Sequence, residues 1–287
     1  MPKPKYFFDL ILPEYFIITI FTVVAASLII RGYLTYQLVL PILSVSLAMI
    51  GLNIMNNVID IELDRINKPS RPLVKGFVSL KEAKIFFISS FILSILISFF
   101  IDFFASLFIL LFIFLAYIYS APPIQLKKYI LSSNFIGSIE YGAIPFLITW
   151  RTVGGDLSLT FLLFFVLMIF VMAPIKDIED IKGDKIKKIK TFPIIIGEKK
   201  TSNLVILSFF LIGLIMLLLE FGGIIDFKYI YATLLSFLLT GVLKLLYNRE
   251  LKKIGGSEIV TQSKLVTYTM IIIVLVEISY GILNFIF

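Results

Sequence analysis

The sequence predicts an all-α, polytopic membrane protein with nine transmembrane helices, and three observations carry that expectation. Apolar residues make up 59% of the 287-residue chain, which has 29 Phe and a mean hydropathy of +1.03. Ordinary soluble domains are roughly half apolar. Nine segments are apolar over the length that crosses a bilayer core, about 17–25 residues in a helix. The basic residues are also sorted: 23 of the 26 Lys and Arg fall in alternate connections and only Arg31, Arg151 and Lys228 in the others.

The nine spans are expected near 13–30, 37–60, 83–101, 104–121, 130–150, 158–175, 203–220, 227–247 and 265–286. The first follows Lys3 and Lys5, as a signal peptide would, but its length and the eight spans behind it favour a retained helix. The second ends in an acidic cluster. Only Asp102 separates the third from the fourth. The fifth carries Asn134, Glu140 and Tyr141, and the sixth runs into a second acidic cluster. The last three complete an odd count. Cytoplasmic connections of membrane proteins are enriched in Lys and Arg. The expected topology therefore places the amino terminus and both acidic clusters on the cytoplasmic side of the cell membrane, with Phe287 outside. This topology accounts for the net charge of +7, so nucleic acid is not an expected partner. Residues 1–287 read as one domain. A weak repeat (acidic helix end, basic loop, Pro, Gly) relates helices 1–4 to 5–8 and leaves helix 9 outside.

Composition also restricts the chemistry. The chain has no Cys and no His. That excludes disulfides, thiolate nucleophiles, Ser-His triads and imidazole or thiolate metal ligands. Oxygen ligands remain, and these suit hard cations such as Mg²⁺ or Ca²⁺.

The two clusters supply such oxygens. The first is Asn56-x3-Asp60-x3-Asp64, followed by Arg65, Lys68 and Arg71-Pro72-Leu73. The second is Lys176-Asp177-x2-Asp180-x2-Gly183-Asp184. In a helix, steps of three, four and seven return to one face. Asn56, Asp60 and Asp64 are thus expected to stack on one face, and Asp177, Asp180 and Asp184 on another, with Glu62 and Glu179 pointing elsewhere. Facing each other, the clusters would clamp a diphosphate through Mg²⁺, which prefers a few carboxylates plus substrate phosphates to a full protein cage. Arg65, Lys68, Arg71, Lys127 and Lys176 would neutralise the phosphates. Mixed charge at an inner boundary also occurs as a solvated face. The equivalent position of both clusters, with an Asn in register, favours function.

These motifs resemble the paired signatures of the UbiA superfamily of intramembrane prenyltransferases, and Tyr117-Ile118-Tyr119-Ser120-Ala121-Pro122-Pro123-Ile124-Gln125-Leu126-Lys127 is similar to its stretch after helix four. The resemblance covers nearly the whole chain. It implies nine helices around a central cavity and Mg²⁺-dependent transfer of a prenyl group from a prenyl diphosphate. Asn56, Asp60, Asp64, Asp177, Asp180 and Asp184 would hold Mg²⁺ and diphosphate, the five aspartates as metal ligands. Arg65, Arg71, Lys127 and Tyr119 would contact the diphosphate or an allylic carbocation.

Tyr117, Tyr119 and Tyr141 are candidates to shield that cation, or else ordinary packing residues. Asn134 and Glu140 are further candidates in the fifth span. One departure stands out: many members carry Arg-Pro at the entry to helix one, and this chain has Leu12-Pro13-Glu14. Among the acceptors that the resemblance implies, the short chain, the lack of His, a thermophile-like composition and a likeness to the compact archaeal members favour geranylgeranyl transfer to geranylgeranylglyceryl phosphate in archaeal ether-lipid synthesis. The alternatives are an aromatic quinone precursor as acceptor, or a cation transporter.

Overall fold

The structure is a computed structural model that describes residues 4–11, 13–186, 188–254 and 262–287; the side chains of 4, 13–15, 179, 252–254, 262 and 263 fall outside that description. Leu12 and the side chains of Pro13, Glu14 and Glu179, all named above, therefore lie outside the described residues. Regular structure among the described residues is helical throughout: α1 (Pro4–Ile11), α2 (Pro13–Arg31), α3 (Val39–Ile59), α4 (Ile61–Asn67), α5 (Leu80–Phe99), α6 (Phe103–Ser120), α7 (Ser132–Gly137), α8 (Ile144–Val153), α9 (Leu159–Ile186), α10 (Phe192–Ile196), α11 (Glu198–Phe221), α12 (Ile230–Ile254) and α13 (Gln262–Ile286).

Seven of the described helices are long and apolar enough to cross a membrane, or eight if Lys5–Ile11 and Phe16–Arg31, which meet at 57°, form one bent span. Of the nine expected spans, the fifth, 130–150, is not a single regular α-helix. There the helical run divides into α7, a π turn at Ser138–Ala143 and α8, with six, six and ten residues. Each piece alone is too short to span a bilayer, while the unbroken run 132–153 is long enough as a unit. The π turn presses onto α9 at Gly142, where a Cβ would sit 2.9 Å from the Phe165 carbonyl oxygen. Only glycine allows that approach.

Asp102 marks the boundary between the third and fourth spans because it caps α6: its carboxylate accepts the Ala105 N–H at 2.7 Å. Side-chain oxygens at this position satisfy donors that the helix leaves unpaired.

Packing follows membrane rules, with small and hydroxyl residues inside and large apolar ones outside. On α6 the buried face is Ala105, Ser106, Ile109, Phe112, Ala116 and Ser120, while Leu107, Leu110, Leu111 and Phe114 are exposed toward lipid. Helices α3 and α5 are joined by reciprocal bonds: Ser44 Oγ donates to the Ser94 carbonyl at 3.0 Å and Ser94 Oγ to the Ser44 carbonyl at 2.7 Å. Helix α13 is tied to α2 by Asn284, which donates to the Leu28 and Ile29 carbonyls, both at 3.0 Å. Such interhelical bonds contribute about 0.6 kcal/mol each.

One apolar core is built from α2, α9, α11, α12 and α13, and a second from α3, α5, α6 and α8. Tyr141, on the π turn, borders both. The acidic ends of α3 and α9 therefore meet where the two cores join. Helix α1 lies at that same end, where Asn53 and Asn57 donate to the Ile11 and Leu10 carbonyls at 2.9 and 3.3 Å. The opposite end holds the three basic residues of the sparse set, each tied down. Arg31 donates to the Val153 carbonyl at 2.9 Å, Arg151 pairs with Asp102, and Lys228 donates to Asn284 at 2.9 Å.

Candidate active site

The first cluster straddles a kink. The chain turns at Asp60 (φ −93°, ψ 12°), between α3 and α4, while the four-residue hydrogen bonds continue across it: Asp60 N–H to the Asn56 carbonyl and Asp64 N–H to the Asp60 carbonyl, both 2.8 Å. The kink modifies the expected single stripe. Asn56 and Asp60 line the cavities that α9 also borders and bond to Ser120 and Lys127, and Asp64, almost fully buried, pairs with Arg71. The second cluster needs no loop, because α9 continues for 28 residues and carries Asp177, Asp180 and Asp184 on its last turns, beyond Pro174.

A close approach of α4 to α9 brings the clusters together. Asn67, buried at the end of α4, accepts the Gly183 N–H at 2.7 Å and donates to the Asp180 carbonyl at 3.3 Å. A Cβ on residue 183 would lie 2.6 Å from the Asn67 amide nitrogen and 2.8 Å from Leu63. Gly183 thus sets the distance between the helices.

Two adjoining cavities result. One, of about 90 Å³, is lined by Asn56, Asp60, Tyr119, Ser120, Lys127, Lys176, Asp177, Asp180, Asp184, Lys190 and Thr191 among others. The other, of about 100 Å³, is lined by Asn56, Asp60, Asp64, Lys68, Arg71, Tyr141, Lys176 and Asp180 among others. Two expected contacts stand apart. Arg65, one step round α4 from Asp64, is exposed and pairs with Glu62 at 3.4 Å. Asn134 is buried between helices and donates to the Phe170 carbonyl at 2.6 Å.

Within the cavities, carboxylates alternate with cations. Lys127 pairs with Asp60, Arg71 with Asp64, and Lys68 with Asp180 at 2.7 Å. Ser120 donates to the Asn56 amide oxygen. The Lys176 ammonium lies 5.6 Å from the centre of the Tyr119 ring. Among the described residues no three carboxylates converge on one point. Burial pushes the Asp184 carboxyl up to about 7, with Asp180 and Asp177 adding to the effect. Burial also raises Asp64, against the opposing pull of Arg71 and Lys68.

Asn67, which joins α4 to α9, and the lining residues Lys190 and Thr191 are not singled out by the sequence. Asn67 is an unremarkable polar residue in a charged run, and its role depends on the facing glycine. Lys190 and Thr191 sit in the loop after α9. The Thr191 hydroxyl is buried in the first cavity with no hydrogen-bond partner among the described residues. The only sequence cue was the repeat, which aligned that loop with the one after Asp64.

Comparison with known proteins agrees with this architecture. The family model described as UbiA prenyltransferase family matches residues 17–255. Digeranylgeranylglyceryl phosphate synthase of Methanocaldococcus jannaschii is 35% identical over 192 residues, covering 63% of this chain and 66% of that protein. The enzyme of the same name from Sulfolobus acidocaldarius is 32% identical over 170 residues (56% and 58%). That from Methanosphaera stadtmanae is 28% identical over 218 residues (75% and 78%). The matches thus span from under three-fifths to over three-quarters of these relatives' lengths.

Among solved structures, one from work on digeranylgeranylglyceryl phosphate synthase in membranes is 26% identical, with a TM-score of 0.67 and full coverage of both chains. A UbiA homologue from Archaeoglobus fulgidus bound to GPP and Mg²⁺ shares the fold with a TM-score of 0.72 at 18% identity, over 98% of this chain and 100% of that one. The family match over most of the chain, joined to the helical architecture, establishes that this protein belongs to the UbiA prenyltransferase family.

Proposed function

We propose that this chain is a Mg²⁺-dependent prenyltransferase that moves geranylgeranyl from geranylgeranyl diphosphate to the free hydroxyl of geranylgeranylglyceryl phosphate, a step of archaeal ether-lipid synthesis. One observation carries the reading: carboxylates from α3–α4 and from α9 line the same cavities as Lys68, Arg71, Lys127 and Lys176. The choice of acceptor rests on the relatives, several of which bear the name of that synthase.

The donor set fits Mg²⁺. Asp60, Asp64, Asp177, Asp180 and Asp184 offer hard oxygens, and Asn56 adds an amide oxygen. When bound, Mg²⁺ supplies neutralisation of the charge that builds on the departing diphosphate. The four cations add fixed positive charge around the same group, in a partly water-excluded site where such charges act most strongly. As the allylic carbon–oxygen bond breaks, the diphosphate takes the electron pair and positive charge develops on the prenyl carbon. The Tyr119 ring lines the first cavity, where an aromatic ring can shield the prenyl cation. The acceptor hydroxyl then forms the new carbon–oxygen bond. With no His in the chain, its proton leaves to a carboxylate or to the diphosphate. Arg65 and Asn134 fall outside this contact set. The whole chain acts as one unit, with the site on the cytoplasmic side and the carboxyl terminus outside.

The test is an acceptor screen. Purified protein with radiolabelled geranylgeranyl diphosphate and Mg²⁺ is offered geranylgeranylglyceryl phosphate, 4-hydroxybenzoate or a naphthoate in parallel. Label transfer to the lipid phosphate alone, abolished by EDTA, is expected. Transfer to an aromatic acceptor would reassign the acceptor, and full turnover in EDTA would remove the metal from the mechanism.

A further inference from the structure

Three of the five aspartates do not stand open. Lys127 occupies Asp60, Arg71 occupies Asp64, and Lys68 occupies Asp180. These cations come from two segments that the chain need not have brought here: Lys68 and Arg71 from the connection after α4, and Lys127 from the connection after α6. All three pairs are sheltered, with side-chain exposures of 24% and 20%, 18% and 6%, and 14% and 24%. The Glu62–Arg65 pair on the outer face, at 67% and 59%, is open to water. A sheltered charge left without a partner is strongly disfavoured. None of these cations can therefore leave its carboxylate unless an anion receives it and another cation replaces it.

We propose that Lys68, Arg71 and Lys127 are resident counter-ions that compete with divalent metal for the aspartates, and that diphosphate relieves the competition by taking these cations onto its own oxygens. The proposal rests on the function proposed above. Metal and diphosphate then bind as a coupled pair. Without diphosphate, a metal ion must displace an ammonium or guanidinium group that has nowhere to go. Without metal, diphosphate strips the aspartates of their partners and leaves them charged in a sheltered site. Together, each ligand supplies what the other removes. Linkage requires the coupling to be reciprocal, and couplings of this kind amount to roughly 5–150-fold in affinity. Loss of diphosphate after transfer returns the three cations to the aspartates and lowers the affinity for the metal left behind.

The test uses Lys127→Gln and Lys68→Gln in the full-length protein at about pH 8, with Mn²⁺ as the metal and inorganic pyrophosphate as the anion. Mn²⁺ binding is read by electron paramagnetic resonance without anion, and pyrophosphate binding by calorimetry in EDTA. Each variant should bind Mn²⁺ more tightly than wild type by about 5-fold or more and pyrophosphate correspondingly more weakly. A cation that merely contacts phosphate would weaken pyrophosphate and leave Mn²⁺ untouched. Unchanged or weaker Mn²⁺ binding in both variants, each eluting as a folded species, overturns the proposal.

A wild-type arm does not depend on the variants folding. Pyrophosphate must tighten Mn²⁺ binding to the protein by at least about 5-fold beyond its complex in solution, and no tightening also overturns the proposal. A wild type that neither binds the two ligands together nor transfers prenyl groups would instead defeat the function itself.

Discussion

Asp184 is where the cost of building this site is clearest. Burial, and then Asp180 and Asp177, push its carboxyl up to about 7 from an ordinary 3.8. The folded protein thus holds a proton that the unfolded chain gives up near pH 4. Proton uptake by Asp184 favours the fold below that point, and the contribution is lost as pH rises through about 7. We predict that metal-free protein melts at a lower temperature at about pH 8 than at about pH 5, and that Asp184→Asn flattens part of the difference; a melting temperature that rises over this window contradicts the assignment. Metal needs the ionised carboxylate. Mg²⁺ affinity should therefore climb over the same interval. Asp180→Asn removes one proposed ligand and the partner of Lys68. It should cost roughly 10²–10³-fold in kcat, the scale of one lost electrostatic stabiliser, with the fold retained. Near-normal turnover would take Asp180 out of the site. The sequence exposed these acids because carboxylates at membrane-helix ends are rare and costly. Asn67 and Thr191 stay hidden because neither residue type is unusual at a helix end or in a loop.

At the scale of elements, the approach of α4 to α9 decides whether two acidic stripes become one site. Gly183→Ala would force a methyl group against Asn67 and Leu63. Overpacking of this kind costs about 1–3 kcal/mol. The expected outcome is a lower melting temperature in detergent together with reduced turnover. Unchanged turnover would show that the spacing of the two helices does not matter.

Helix positions were largely readable from apolar length, and Asp102 correctly divides α5 from α6 because a capping carboxylate is a local signal. Two features escaped that reading. The π turn at Ser138–Ala143 arises from the fit of Gly142 against α9, a tertiary contact without a local signature. The kink at Asp60 keeps its four-residue hydrogen bonds, so the spacing of Asn56, Asp60 and Asp64 survives while Asp64 rotates toward Arg71.

For the whole molecule, charge sorting and three-dimensional placement agree. The basic connections collect at the end that carries both acidic clusters, and Arg31, Arg151 and Lys228 are bound into the other. The chain has no Cys, so single cysteines can report sidedness without interference. Cysteines at 75 and 128 should react with an impermeant thiol reagent from the cytoplasmic face only, and cysteines at 155 and 224 from the outer face only. Labelling of all four from one side contradicts the proposed topology.

Prenyl transfer by this chain depends most on the two acidic helix ends forming one metal–diphosphate site, and a structure with Mn²⁺ and an unreactive geranylgeranyl diphosphate analogue tests that directly. Anomalous peaks should lie between α3–α4 and α9, about 2.0–2.3 Å from an oxygen of Asp60 or Asp64 and from one of Asp180 or Asp184, with the analogue's phosphates alongside. An analogue seated elsewhere, or bound at this end of the bundle with no metal between the two helices, would contradict it.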